Sequence, residues 1–296
     1  MSSPVYKRYA LRKDIKKAVL CLLVFILASG AAPEPVFSDI SHAGMPKGEW
    51  EEHRSAHFIL YYHPDIPDKY IREFTGKCER YYRLITDRLG FNRFDFWLWE
   101  NRAKVFVYKT KEEYIKNTGR AEWSGASVRI KKKFISTFYF EGDFFDVILP
   151  HELGHIVLRE FIGLKTEAPL WFDEGVACAN EKDSLLRYFL ITKGLVEQGL
   201  YLKVPNLEKI AAGEIVVPNI FYPTAASLVM FLLEEYGKKR FVGFCKEMRD
   251  GKTFYGAMDK AYGIEDAEEL NERFIVYMTN KSYEDIVERE NFNVKW

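Results

Sequence analysis

At 296 residues, 48% hydrophobic and 29% charged, the chain is long enough to bury a full core in one large domain or two small ones. Its composition is that of a folded globular protein, which excludes the disordered and collagen-like classes. Basic and acidic residues balance at 43 each, so the chain lacks the net positive field of a nucleic-acid-binding protein.

The balance conceals an asymmetry. Lys7, Arg8, Arg12, Lys13, Lys16 and Lys17 precede an apolar run over residues 18–29, which leads into Gly30-Ala-Ala-Pro33. A basic start, an apolar stretch of about 12 residues and small residues beyond it are the parts of a signal peptide, here residues 1–32. A spanning helix takes about 20 apolar residues, so retention of residues 18–32 as a membrane anchor is the alternative. Cys21 opens the apolar run instead of ending it, which does not suit a lipoprotein site. The chain therefore reads as exported, periplasmic or extracellular, with membrane association through the N-terminal segment where that is kept. Cys78, Cys178 and Cys245 remain after cleavage. Three cysteines without a C-x-x-C pair suggest neither a disulfide framework nor a cysteine-based zinc site.

Residues 33–54, rich in Pro, Gly and charge, read as a linker. A strand is expected over 56–63, closed by Pro64, then a long amphipathic helix opened by Asp68 and stopped by Gly90. Strands follow at 103–108, 125–130 and 134–140, with a short helix at 111–116 and a turn at Lys131-Lys132-Lys133. The next helix begins near Asp146, placing Pro150 within or just after its first turn, where a missing N–H matters least. A further helix starts near Trp171, and helices at 184–197, 223–236, 239–249, 253–261 and 266–279 follow, punctuated by Gly237 and Gly263. A mixed α/β first half before an all-helical second half argues for an α+β architecture. Its two lobes are residues 55–182 and 183–280, with a tail over 281–296. No internal repeat is visible.

The chemistry concentrates in His151-Glu-Leu-Gly-His155, followed by Trp171-Phe-Asp-Glu-Gly175. On a helix, residues i and i+4 lie one above the other, roughly 6 Å apart, so both imidazoles can reach one zinc ion. Glu152 lies about 100° further round and faces the open coordination position, where a carboxylate serves as a general base. A third protein ligand is still needed, and Glu174, in the first turn of the next helix, is the candidate. H-E-x-x-H alone is a modest signal. Here it sits in an apolar helical stretch, and the chain returns through Gly163 and Ala168-Pro169 to bring the second helix alongside.

With HELGH followed by WFDEG, the chain resembles the gluzincin metallopeptidases, closest to their peptidase MA-like group and more distantly to aminopeptidase N-type and thermolysin-type enzymes. The resemblance covers residues 56–240, with specific motifs at 147–157 and 169–177. It implies a zincin-like fold with the zinc helix at the junction of the lobes. It implies one zinc ion per chain held by His151, His155 and Glu174, and Glu152 as catalytic base. It also implies a strand edge, expected at 134–140, that holds an extended peptide by strand addition. Tyr222, ahead of the 223–236 helix, is similar to a Tyr of that group and is a candidate second oxyanion donor. Two departures matter. The Gly-Ala-Met-Glu-Asn signature of aminopeptidases is missing upstream, and Gly256-Ala-Met-Asp259 lies too far downstream to replace it. Thermolysin-type relatives place an Asp one turn after the ligand Glu to orient a zinc histidine. Cys178 stands there instead, leaving Asp173 as the weaker candidate.

The remaining features have plainer readings. His53, His57 and His63 read as structural instead of a second metal cluster, and Cys178 as a small buried residue. Arg129-Ile-Lys-Lys-Lys133 offers contact with an anionic membrane or an acidic substrate, but a solvated hairpin is the simpler account. Phe94-Asp-Phe-Trp-Leu-Trp99 reads as packing beneath a turn. The expected function is an exported zinc metallopeptidase acting on peptides or proteins, an endopeptidase in the absence of an exopeptidase signature. Two alternatives stand beside it: a non-catalytic zincin-fold binding or assembly module of the cell envelope, and a zinc hydrolase of a non-peptide bond. A purely structural zinc site needs no base, which Glu152 supplies.

Overall fold

The computed structural model describes residues 49–285 apart from 93, 95, 96, 99, 100, 121–124, 140–144, 212, 213 and 283. The expected signal or anchor segment therefore lies outside the described residues. Among those described, no helix is long and apolar enough to cross a membrane.

The architecture is α+β. Strands β1 (Glu51–Arg54), β2 (Phe58–Tyr62), β3 (Ala103–Tyr108), β4 (Ala126–Arg129) and β5 (Phe134–Phe138) form one sheet in the order β1-β2-β3-β5-β4. The three inner strands run parallel, and β1 and β4 close the sheet antiparallel on its two edges. Two expectations change here. Residues 51–54, placed at the end of a linker, form edge strand β1. The strand expected to offer a free edge, 134–140, is instead β5, paired on both sides; the edge belongs to β4. The physical difference is visible in burial. Ile135, Thr137 and Phe138 of β5 are all buried, whereas Ser127, Val128 and Arg129 of β4 are not fully covered.

Alternation along β2 sorts its side chains between two clusters. Phe58, Leu60 and Tyr62 enter the main core, while Ile59 and Tyr61 join Phe106, Tyr108, Tyr114 and Phe138 on the other face. Helix α1 (Asp68–Leu89) covers the main face. It ends as the sequence predicts: Gly90 is left-handed at φ 78°, with Gly90 N–H bonded to Asp87 O and Phe91 N–H to Thr86 O, the two bonds of a Schellman cap. Helix α2 (Lys111–Thr118), capped by Thr110, lies on the opposite face and contributes Tyr114. Trp97 is buried against Phe58 and Tyr82, so the described part of the aromatic 94–99 stretch is packing. Cys78, Cys178 and Cys245 are free and buried.

Helices α3 (Ile148–Ile162), α4 (Leu170–Ala179), α5 (Ser184–Glu197), α6 (Val204–Leu207), α7 (Pro218–Glu235), α8 (Gly237–Arg249), α9 (Phe254–Tyr262) and α10 (Ala267–Asn280) complete the described chain. One apolar cluster runs from Phe58 in the sheet to Met278 in α10, so the two expected lobes share a core. The helix expected to start at 223 starts at Pro218. Proline fits a first helical position. The acceptor that Pro223 deprives of a partner is the carbonyl of Asn219, an exposed residue of the first turn, where water replaces the bond at little cost.

Helix α4 is the centre of the packing, held between α3 and α7 by two glycines. A Cβ on Gly154 would lie 2.9 Å from Ala177 Cα, and one on Gly175 would lie 2.4 Å from the carbonyl oxygen of Ala225. Arg88 of α1 donates to the Ala179 carbonyl at the C-terminus of α4. Gly175→Ala is therefore expected to destabilise the fold by about 3 kcal/mol through forced separation of α4 and α7. Gly243→Ala, in α8 with nothing within 4 Å, should instead stabilise it by about 0.5–1 kcal/mol. Chemical denaturation of the two variants checks the contrast; equal effects would contradict this packing.

Candidate metal centre

Helix α3 is buried nearly all round. Its partly open residues are Ile148, Glu152, His155, Arg159 and Glu160, the first four forming a stripe spaced at helical intervals. The polar groups therefore gather where the apolar packing stops. His151, one residue from Glu152, is buried at 8% exposure beside that stripe. The two imidazoles stand 5.0 Å apart between centroids.

Glu174 reaches them from α4. Its Oε2 lies 3.7 Å from His151 Nε2 and 3.8 Å from His155 Nε2. A tetrahedral zinc ion with bonds of about 2.0–2.1 Å sets its donor atoms roughly 3.3 Å apart, so both histidine–glutamate distances are within about half an ångström of that spacing, and all three donor atoms lie within 4.8 Å of one another.

The other ring nitrogens are equally committed. His151 Nδ1–H donates to Glu181 Oε1 at 3.0 Å, and His155 Nδ1–H to Asp173 Oδ1 at 3.2 Å. Each bond turns Nε2 towards Glu174 and, in the neutral imidazole, selects the tautomer whose lone pair lies there, the one a metal needs. Each carboxylate is held in turn by an arginine. Arg159 Nε donates to Asp173 Oδ2 at 2.8 Å, and Arg187 Nη2 to Glu181 Oε2 at 2.8 Å, where Tyr188 Oη also donates at 2.9 Å. Glu181 is the partner that sequence reasoning missed; Asp173 fills the role suggested for it. The available signal was spacing, because residues seven apart recur on one helical face, although Glu181 falls just beyond the end of α4.

Charge supplies the test of fit. Glu152, Asp173, Glu174 and Glu181 bring four negative charges against Arg159 and Arg187, an excess that a dication cancels. Buried uncompensated charge is costly, and without an ion the histidines make up the difference with protons. Burial alone would lower the His155 pKa, but Glu174, Asp173 and Glu152 outweigh it and hold it up to about 9. His151 is likewise raised, burial being overcome mainly by its bond to Glu181. Burial raises Glu174, more than the two histidines lower it. Asp173 is lowered, because His155 and Arg159 overcome its burial. A buried site that must take up protons in the absence of an ion is one whose donor set fits a divalent metal.

Cys178 Sγ lies 3.8 Å from His151 Nδ1, and these two with Glu181 form a second close group of possible ligands. Burial first, then Glu181 and Glu174, push the thiol well up, so it stays protonated and behaves as the small buried residue expected. Among the described residues His53, His57 and His63 join no such group. His57 Nδ1 instead bonds Glu79 at 2.6 Å. Tyr222 is not ahead of its helix but inside α7, buried, with its ring against Phe221, on the helix whose Ala225 abuts Gly175.

A family model described as the Peptidase MA superfamily matches residues 107–280, bearing out the resemblance drawn from HELGH and WFDEG. Among curated proteins none matches the chain. Solved structures similar to it include an M1 zinc metallopeptidase from Deinococcus radiodurans, at 15% identity and a TM-score of 0.48, covering 79% of this chain and 53% of that one. A mutant of an M1 zinc metallopeptidase from the same organism aligns at 16% identity and a TM-score of 0.47, over 77% and 52%. The chain spans about half the length of these structures.

Because His155 is protonated below about pH 9 in the metal-free chain, its proton must leave before its Nε2 can bind an ion. Zinc uptake at pH 7 is expected to release at least one proton per ion, and affinity to weaken at least about tenfold per pH unit on acidification. The metal-free fold is expected to follow the opposite trend: the stabilisation from protonated His155 is complete below the ordinary histidine value of 6.5 and lost as pH rises through about 9. Titration calorimetry in buffers of different ionisation heat measures the proton count. Uptake without proton release would contradict the charge account.

Proposed function

The chain belongs to the Peptidase MA superfamily, and on that premise we propose that it is a zinc-dependent peptidase of gluzincin type, an endopeptidase exported from the cytoplasm. His151, His155 and Glu174 hold one zinc ion per chain, and Glu152 is the base. The observation that carries this reading is the convergence of both Nε2 atoms on Glu174 Oε2 while both Nδ1 atoms are tied to carboxylates.

A zinc ion held by His151, His155 and Glu174 would supply Lewis-acid chemistry towards a water molecule and the substrate carbonyl. The chain's own residues do the rest. Glu152, on the open stripe of α3 and close enough for its charge to act on His155 and Glu174, takes the proton of the attacking water and delivers it to the leaving amine. Asp173 and Glu181 keep the two rings from turning and thus hold the distance to Glu174. Tyr222 donates from α7 to the developing oxyanion. An extended peptide adds to the free edge of β4. Gly125 lies so close to α3 that a Cβ there would meet Ile148 Cδ1 at 3.1 Å, so that edge starts beside the helix carrying the histidines.

The β4 edge also supports the endopeptidase reading. An aminopeptidase needs a carboxylate for the substrate's terminal ammonium, and Ala126, Ser127, Val128 and Arg129 provide none. Export rests on the basic and apolar pattern of residues 1–32.

Glu152→Gln is expected to retain zinc and to lose about 10²–10⁴-fold in kcat on a peptide library, and Tyr222→Phe to lose about 10²-fold with zinc content unchanged. Metal analysis and turnover on the same preparations check both. Zinc-loaded wild type that cleaves no library member would replace this reading with a binding module, and a Tyr222→Phe enzyme of full rate would remove Tyr222 from the mechanism.

A further inference from the structure

The strand edge leads to a cluster of positive charge that the proposed chemistry does not use. Edge strand β4 ends at Arg129, and a short 3-10 turn over Ile130–Lys132 joins it to β5. Lys131 and Lys132 are exposed on that turn. Among the described residues neither has a carboxylate partner; Lys132 Nζ sits 5.9 Å from the Phe134 ring centroid, as Lys104 Nζ does at 5.5 Å. Lys133, left-handed at φ 53°, turns the chain and pairs with Glu160 of α3 at 3.2 Å.

These contacts fix the direction of the edge. Just before its start, Gly125 leaves so little room that an added Cβ would lie 3.1 Å from Ile148, near the beginning of α3, and in the turn past its end Lys133 pairs with Glu160, near the end of α3. β4 therefore runs alongside the helix that carries His151, Glu152 and His155. A peptide paired with β4 passes those residues and then meets Lys131 and Lys132. Glu160 lies five residues beyond His155, roughly 7.5 Å along the helix axis, which an extended chain covers in about two to three residues.

Resting on the peptidase reading, we infer that the Lys131–Lys132 turn selects substrates with acidic side chains about two to four residues to one side of the scissile bond. An acidic residue there gains attraction from two exposed ammonium groups, and a basic one is repelled. The turn continues the substrate-binding edge and is pinned to the metal-bearing helix, which favours a peptide over a lipid surface as its partner.

The test uses matched quenched peptides carrying Glu, Gln or Lys at each position from two to four residues on either side of the cleaved bond. At low salt the zinc-loaded enzyme is expected to prefer Glu over Lys by about threefold to tenfold in kcat/KM on one side only, with the ratio shrinking towards one in high salt. Lys131→Gln/Lys132→Gln should erase the preference and Lys131→Glu/Lys132→Glu invert it. Because the readout is a ratio, a general loss of activity cancels, and melting temperature and zinc content confirm that the variants are folded. Glu152-dependent cleavage with no charge preference would overturn this inference and leave the peptidase reading standing. No Glu152-dependent cleavage of any peptide would overturn both. Unchanged selectivity with lost binding to phosphatidylglycerol-containing vesicles would assign the turn to a membrane surface and overturn the inference.

Discussion

Four carboxylates and two guanidinium groups gather around His151 and His155, with Glu174 and Glu181 buried, and the imbalance of charge there constrains everything nearby. Negative charge in a poorly solvated site has to be met by protons or by a cation. The two arginines do not sit on Glu174; they sit behind Asp173 and Glu181, on the far side of the rings. That placement neutralises the carboxylates that orient the histidines and leaves the carboxylate of Glu174 to face the Nε2 atoms. The same electrostatics therefore define an orientation as well as a total: the cation belongs between the rings and Glu174, not behind them.

That arrangement depends on backbone approach. Glu174 reaches two histidines of another helix only because α4 fits closely between α3 and α7, at distances that Gly154 and Gly175 permit and a side chain would not. Glu181 lies past the last turn of α4, where Asn180 bonds back to the Val176 carbonyl and Arg88 caps Ala179. The contacts that end the helix thus also set the position of the carboxylate behind His151. The sheet ends in the short edge strand β4, and Gly125, just before it, lies close to Ile148 at the start of α3.

Much of this was legible in the sequence because it is written locally. The helix over 68–89 is bounded by Asp68 and Gly90, whose left-handed geometry stops it where expected, and β3 follows its hydrophobic run residue for residue. HELGH and WFDEG specify ligand types at helical spacing, so His151, His155 and Glu174 come together as their motif implies. What was misread is long-range. Strand order is decided by pairing partners, and 134–140 carries no local mark of being an edge; β5, with Ile135, Thr137 and Phe138 buried, has a strand on each side, while the short, partly polar Ala-Ser-Val-Arg of β4 has the character of an edge. The α7 helix starts at Pro218, five residues before the expected 223, because proline suits a first helical position and Pro223 is tolerated inside. Glu181 escaped because the position one turn after Glu174, where such a partner was sought, holds Cys178.

The central claim, that the cation site lies on the Nε2 side of the histidines, is tested most directly by anomalous diffraction at the zinc absorption edge from zinc-saturated crystals. The account predicts a single peak about 2.0–2.2 Å from His151 Nε2, His155 Nε2 and a carboxylate oxygen of Glu174. A peak on the opposite side of His151, between Cys178 and Glu181, or no peak at either place, would contradict it.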